Sequence, residues 1–130
     1  MQYNIQDDTW QKSAAKFQNG NVAGVGAVTD PRTGWIYLTG GYDDRDPTSP
    51  LVKLLDIFDP VSQTIHTSNL PNREKTFPVP WYSGNVWSKY KNSIIYWGGL
   101  NDTEPDPRIV TNGVTELSTD FMTWSTMLGT

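Results

Sequence analysis

Residues 34–41 read GWIYLTGG and residues 92–99 read NSIIYWGG, and laying one on the other sets the organisation of the whole chain. The offset is 58 residues, which pairs Ile36 with Ile94, Tyr37 with Ile95, Leu38 with Tyr96, Gly40 with Gly98 and Gly41 with Gly99. Self-similarity at a fixed offset marks a repeat architecture. The match continues upstream. The same offset sets Gly26 on Gly84 and Val28 on Val86, each inside an apolar run that leads into a turn, VTDPRTG at 28–34 and VWSKYKN at 86–92. Each copy is therefore expected to open with a hairpin.

Downstream of each double glycine the spacing holds. Gly41 to Ile65 is 24 residues and Gly99 to Trp124 is 25, and the closing segments FDPVSQTI (58–65) and LSTDFMTW (117–124) both place Thr before the last residue. YNIQDDTW, residues 3–10, has the same length and ends in Thr-Trp with no double glycine before it, so the chain is expected to begin inside a repeat. Alternating apolar and polar positions, β-branched and aromatic enrichment and frequent turn residues argue strands, and no stretch keeps a helical period. About ten strands are expected: 2–4 and 9–14 in the remnant; 22–29, 35–40, 51–59 and 64–68 in the first copy; 83–88, 93–98, 110–117 and 123–127 in the second. The chain divides into a remnant at 1–15, a copy at 22–70, a Pro-rich linker at 71–80 and a copy at 81–130.

A strand ending in Gly-Gly, a bulky residue near the end of the third strand and a closing Trp resemble the kelch repeat. The resemblance rests on Gly40, Gly41, Phe58 and Ile65, then Gly98, Gly99, Leu117 and Trp124, with Trp10 closing the remnant. Ile65 stands where the pattern has Trp, and Leu117 where it prefers Tyr or Phe. The implied fold is all-β, a fragment of a kelch-type (galactose-oxidase-like) β-propeller built from four-stranded antiparallel blades. Such sheets are apolar on both faces, so Trp10, Ile65 and Trp124 are expected to fill the gaps between blades. Other propeller repeats fit less well: the WD dipeptide is missing, and residues 118–124 are one residue short of a sialidase-like Asp-box and lack its glycine. A propeller closes with about four to eight blades, which makes the remaining blades of a longer protein the expected neighbours. The alternative is a small subunit whose copies join head to tail into a ring.

With 130 residues and 14.6 kDa, the chain makes one domain at most, and 36% hydrophobic against 18% charged residues suits a globular protein. A net charge of −4 and a pI near 4.7 have the wrong sign for neutralising phosphates, which argues against nucleic acid as a partner. No apolar run approaches the roughly 20 residues that cross a bilayer, and the first residues, MQYNIQDD, lack the basic and apolar regions of a secretory leader. With no Cys, disulfides, thiolate metal sites and cysteine nucleophiles are excluded. His66 is the single His and has no companions at ligand spacing, so no metal, cofactor or catalytic residue is expected. Asn101-Asp102-Thr103 is an N-glycosylation acceptor triplet of the kind expected by chance. The compartment is not written in the sequence.

Charge placement is the informative feature. The connections between the second and third strands, residues 42–50 and 100–109, hold Asp43, Asp44, Asp46, Asp102, Glu104 and Asp106 against Arg45 and Arg108. That excess of four acids equals the net charge of the chain, so the remainder balances. Up-and-down strand order places both connections at one end of their sheets, where an acidic rim steers basic partners. A protein-interaction module is therefore expected, with this face binding a cationic peptide segment or a divalent cation and no chemistry of its own. The competing function is a scaffold for a carbohydrate-processing or oxidase site. Copper radical oxidases of this repeat class need a Cys beside a Tyr together with His ligands, so their catalytic residues would have to lie outside the chain.

Overall fold

A single turn design, used five times, sets the strand boundaries. Loops 5–8, 31–34, 60–63, 89–92 and 119–122 each hold four residues, and in each the fourth is left-handed: Asp8 at φ 50°, Gly34 at 76°, Gln63 at 55°, Asn92 at 50° and Met122 at 53°. Asn4, Asp30, Asp59, Ser88 and Ser118 precede these loops. Four of those side chains accept a backbone N–H from inside the loop: Gln6 to Asn4 at 3.0 Å, Arg32 to Asp30 at 2.8 Å, Val61 to Asp59 at 2.8 Å and Phe121 to Ser118 at 3.3 Å. A short polar side chain capping its own turn is the reason such residues initiate hairpins.

The computed structural model describes residues 1–13, 15, 23–41, 54–69, 82–103, 106–110 and 113–128. All regular structure among them is β. The strands β1 (Gln2–Asn4) and β2 (Thr9–Gln11) form a hairpin. The strands β3 (Gly26–Thr29), β4 (Ile36–Thr39), β5 (Leu54–Asp59) and β6 (Thr64–Asn69) form a first antiparallel sheet in that order. A second sheet consists of β7 (Gly84–Ser88), β8 (Ser93–Trp97), β11 (Val114–Ser118) and β12 (Thr123–Leu128), with β9 (Leu100–Thr103) and β10 (Asp106–Val110) paired as a separate hairpin between β8 and β11.

The repeat read from sequence is a repeat of structure. In the first sheet a row of paired residues runs Thr29, Ile36, Phe58, Ile65; in the second the same row runs Trp87, Ile94, Leu117, Trp124. The double glycines leave their strands alike, with φ of 69° and 103° at Gly40 and Gly41 and of 63° and 101° at Gly98 and Gly99. A side chain at φ near 100° meets its own backbone, so glycine is required there.

Alternation gives each sheet two faces. One face of the first sheet carries Val28, Tyr37, Thr39, Leu55 and Ile57, all buried, and the facing side of the second carries Ile94, Tyr96, Thr115 and Leu117, also buried, with Trp87 and Trp124 packed at the margin. These residues form one core between the sheets. The sheets approach through their first strands, β3 and β7. A Cβ on Gly26 would land on the Asn85 side-chain amide, so this glycine lets the second sheet come close.

Besides the shorter strands Thr9–Gln11 and Gly26–Thr29, where 9–14 and 22–29 were expected, the structure differs from the sequence reading in three places. Residues 100–109 were expected to form a connection without strands, but Leu100–Thr103 and Asp106–Val110 pair as the β9–β10 hairpin, with Leu100 and Asn101 opposite Val110 and Ile109. The register breaks between Asp106 and Ile109, where Pro107 has no N–H to give the ladder. The third strand of the second copy starts at Val114 instead of residue 110, since Val110 belongs to that hairpin. Trp10, expected between sheets, is 64% exposed and packs across its hairpin on Tyr3, with ring centroids 5.0 Å apart. The linker at 71–80 lies outside the described residues.

Candidate functional site

Antiparallel meanders place the β3–β4 and β5–β6 turns at one end of the first sheet and the β4–β5 connection at the other. The second sheet does the same, with the β9–β10 hairpin inserted in its β8–β11 connection. Of the acidic-face residues, Asp102 sits on β9 and Asp106 and Arg108 on β10. Asp43, Asp44, Arg45, Asp46 and Glu104 lie outside the described residues. Phe58, Ile65 and Trp124 are half-buried and Leu117 is fully buried. Trp124 packs on Tyr96, with ring centroids 5.2 Å apart.

At the turn end the two sheets are joined by charges that the sequence did not single out. Asp30, buried at the start of the β3–β4 turn, accepts from the Arg32 backbone N–H at 2.8 Å, from Nε at 3.1 Å and from Nη2 at 2.8 Å. Held in this way, the Arg32 guanidinium reaches the β11–β12 turn of the other sheet. Its Nη1 donates to Asp120 at 2.8 Å and its Nη2 to the Thr119 hydroxyl at 3.0 Å, while Cζ lies 5.2 Å from the centroid of the Trp87 ring. Asn92 supports Asp120 from the β7–β8 turn at 3.1 Å. Two turns, one from each sheet, therefore meet on one cation, and a third braces the carboxylate that receives it.

The electrostatics follow. Burial pushes the Asp30 carboxyl up, but the hydrogen bonds and charge of Arg32 outweigh it and hold the group below the ordinary carboxylate range. Arg32 and then Asn92 hold Asp120 low in the same way, and the two carboxylates raise Arg32. Burial raises Tyr37, with the Asp30 charge adding to the effect. Deeper between the sheets, the Thr39 hydroxyl donates to the Tyr96 phenol oxygen at 2.8 Å, and burial pushes that phenol up.

This arrangement is a clamp. Four of the five guanidinium donors go to Asp30, Asp120 and Thr119, so it has no vacant two-donor fork to offer a ligand. No group of three or more His, Cys, Asp or Glu side chains converges at metal-binding distance among the described residues. His66 is exposed on β6, 3.5 Å from the Thr64 hydroxyl and 6.3 Å from Trp35 between ring centroids. No helix of the described residues is long and apolar enough to cross a membrane. The signal that could have found the clamp is the Asp-Pro-Arg-Thr-Gly turn itself. Its partner, 88 residues along the chain, leaves no mark in local sequence.

Compared with models of known protein families and with curated proteins, the chain matches none.

Proposed function

We propose that the two sheets are blades of a kelch-type propeller and that they bind a protein or peptide partner of basic character through the connections opposite the hairpin turns. The observation that carries this reading is charge placement: six acids against two bases in the two connections, equal to the net charge of the chain. The kelch assignment draws support from the double glycines with matching φ and from the equivalent rows ending in Ile65 and Trp124. The β9–β10 hairpin supports the choice of face, because it gives one acidic connection a folded backbone, which lowers the entropy lost on binding. Asp102, Asp106 and Arg108 ride on it.

The test is charge reversal. In the Asp43→Lys, Asp44→Lys, Asp46→Lys triple variant, binding of a labelled lysine-rich peptide, read by fluorescence anisotropy, should weaken and its salt dependence should flatten. An unchanged affinity and an unchanged salt slope refute the reading.

A further inference from the structure

The second sheet has a face that nothing among the described residues covers. Trp97 pairs with Gly84 and lays its indole over it, while Val86 pairs with Ile95 on the same side. Val86 is 48% exposed and Trp97 46% exposed. Moved back by 58 residues, these two positions are Val28 and Thr39, which are buried because the second sheet covers them. The open face of the second sheet is thus the counterpart of the face by which the first sheet holds the second.

The matching counterpart is also present. Ile94, Tyr96, Leu117 and Trp124, which the second sheet turns toward the first, correspond to Ile36, Leu38, Phe58 and Ile65 on the other side of the first sheet. The chain therefore carries both halves of its own internal interface, pointing outward at opposite sides.

The polar contacts of the internal interface decide whether these halves can meet. Each maps onto an apolar pair. Thr39 with Tyr96 becomes Trp97 with Leu38, and the Arg32–Asp120 ion pair becomes Tyr90 with Val61. Gly26 against Asn85 becomes Gly84 against Ala27. The charged residues that do lie on the two faces keep partners within their own sheets, Glu116 with Lys91 at 3.2 Å and Asp56 accepting from the Thr67 hydroxyl at 2.6 Å, and Tyr90 and Val61 stand 88% and 90% exposed at the turn tips. Two large apolar side chains left in water at the two positions that would touch is what complementarity requires.

We propose that a second copy of this chain docks head to tail on the open Val86/Trp97 face, presenting its Ile36/Leu38/Phe58/Ile65 face in the register of the internal interface. The contact is heterologous, so it propagates to a ring if the rotation closes and to a filament if it does not. The inference uses only the sheet repeat and is independent of the loop-face reading.

The test uses the absence of native cysteine. Val61→Cys and Tyr90→Cys are made in separate full-length chains, and both sites are exposed enough to leave the fold intact. A short flexible bismaleimide spans the gap that Arg32 and Asp120 fill inside the chain. The mixture should shift from monomer to a crosslinked dimer joined between positions 61 and 90, and neither chain alone should give a dimer. Sedimentation velocity of the unmodified chain should show the mass rising with concentration, and Trp97→Asp, folded by its cooperative melt, should remove both the rise and the crosslink. A dimer from either single-cysteine chain alone points to a two-fold contact and overturns the proposal. A chain that stays monomeric and uncrosslinked also overturns it. The Asp43, Asp44 and Asp46 reversals, which change neither face, should leave the crosslink unchanged.

Discussion

Removing both hydroxyls of the Thr39–Tyr96 pair should cost less than the sum of removing each alone. The two oxygens lie 2.8 Å apart between the sheets, and both residues are essentially inaccessible to water, at 2% and 1% exposed. Tyr96→Phe leaves the Thr39 hydroxyl buried without its acceptor, and a buried orphaned group costs about 1–3 kcal/mol. Thr39→Val keeps the shape and orphans the phenol instead, again at about 1–3 kcal/mol. The double variant replaces both polar groups with apolar ones of nearly the same volume, so its cost should fall below the sum by about 0.5–3 kcal/mol, the usual coupling of residues in contact. At this chain length a kcal/mol corresponds to about 3–5 °C in melting temperature. The assay is urea unfolding followed by tryptophan fluorescence for the wild type, the two single variants and the double. If the single costs add to within about 0.5 kcal/mol, the hydroxyls are not in contact and the packing of the sheets described above is wrong.

Two further outcomes follow from the interface. Gly26→Ala puts a methyl group on the Asn85 amide and should destabilise by about 1–3 kcal/mol, with most of the loss recovered in the Asn85→Ala background; an equal loss in both backgrounds places the strain elsewhere. A carboxylate held below its unfolded value of about 3.9 stabilises the fold above that pH and loses the contribution as the pH falls through the depressed folded value. Asp30 and Asp120 should therefore steepen the loss of stability below about pH 4, and Arg32→Gln should lower stability at neutral pH while flattening that acid limb in urea midpoints; an unchanged limb refutes the clamp.

Strand pairing was legible because its determinants are local. A capping Asn, Asp or Ser, four loop residues and a following Thr, Ser or Trp fix each hairpin within six positions, and the double glycines mark where the second strand must leave the sheet. The β9–β10 hairpin was not legible, since Pro105 and Pro107 argue for an open connection and only the pairing of Ile109 and Val110 overrides them. Trp10 has the sequence of an inter-sheet residue, yet burial depends on a neighbouring sheet that local sequence does not supply. The clamp escaped notice for the same reason: Asp30, Arg32 and Asp120 are ordinary turn residues until two sheets bring them together. The acidic connections were found from charge alone, and five of their eight charged residues lie outside the described structure.

The internal interface also separates two timescales of folding. The five hairpins of the shared turn design close over four residues, a short and fast search, whereas the Arg32–Asp120 contact waits on a loop of 87 residues. As a ribosome extends the chain, residues 26–69 can assemble the first sheet before Asp120 has been made. During that interval Val28, Tyr37, Leu55 and Ile57 are an apolar surface with no cover, in a form where two growing chains can trap each other. The same face that later anchors the second sheet is, in the nascent chain, the place most in need of a chaperone.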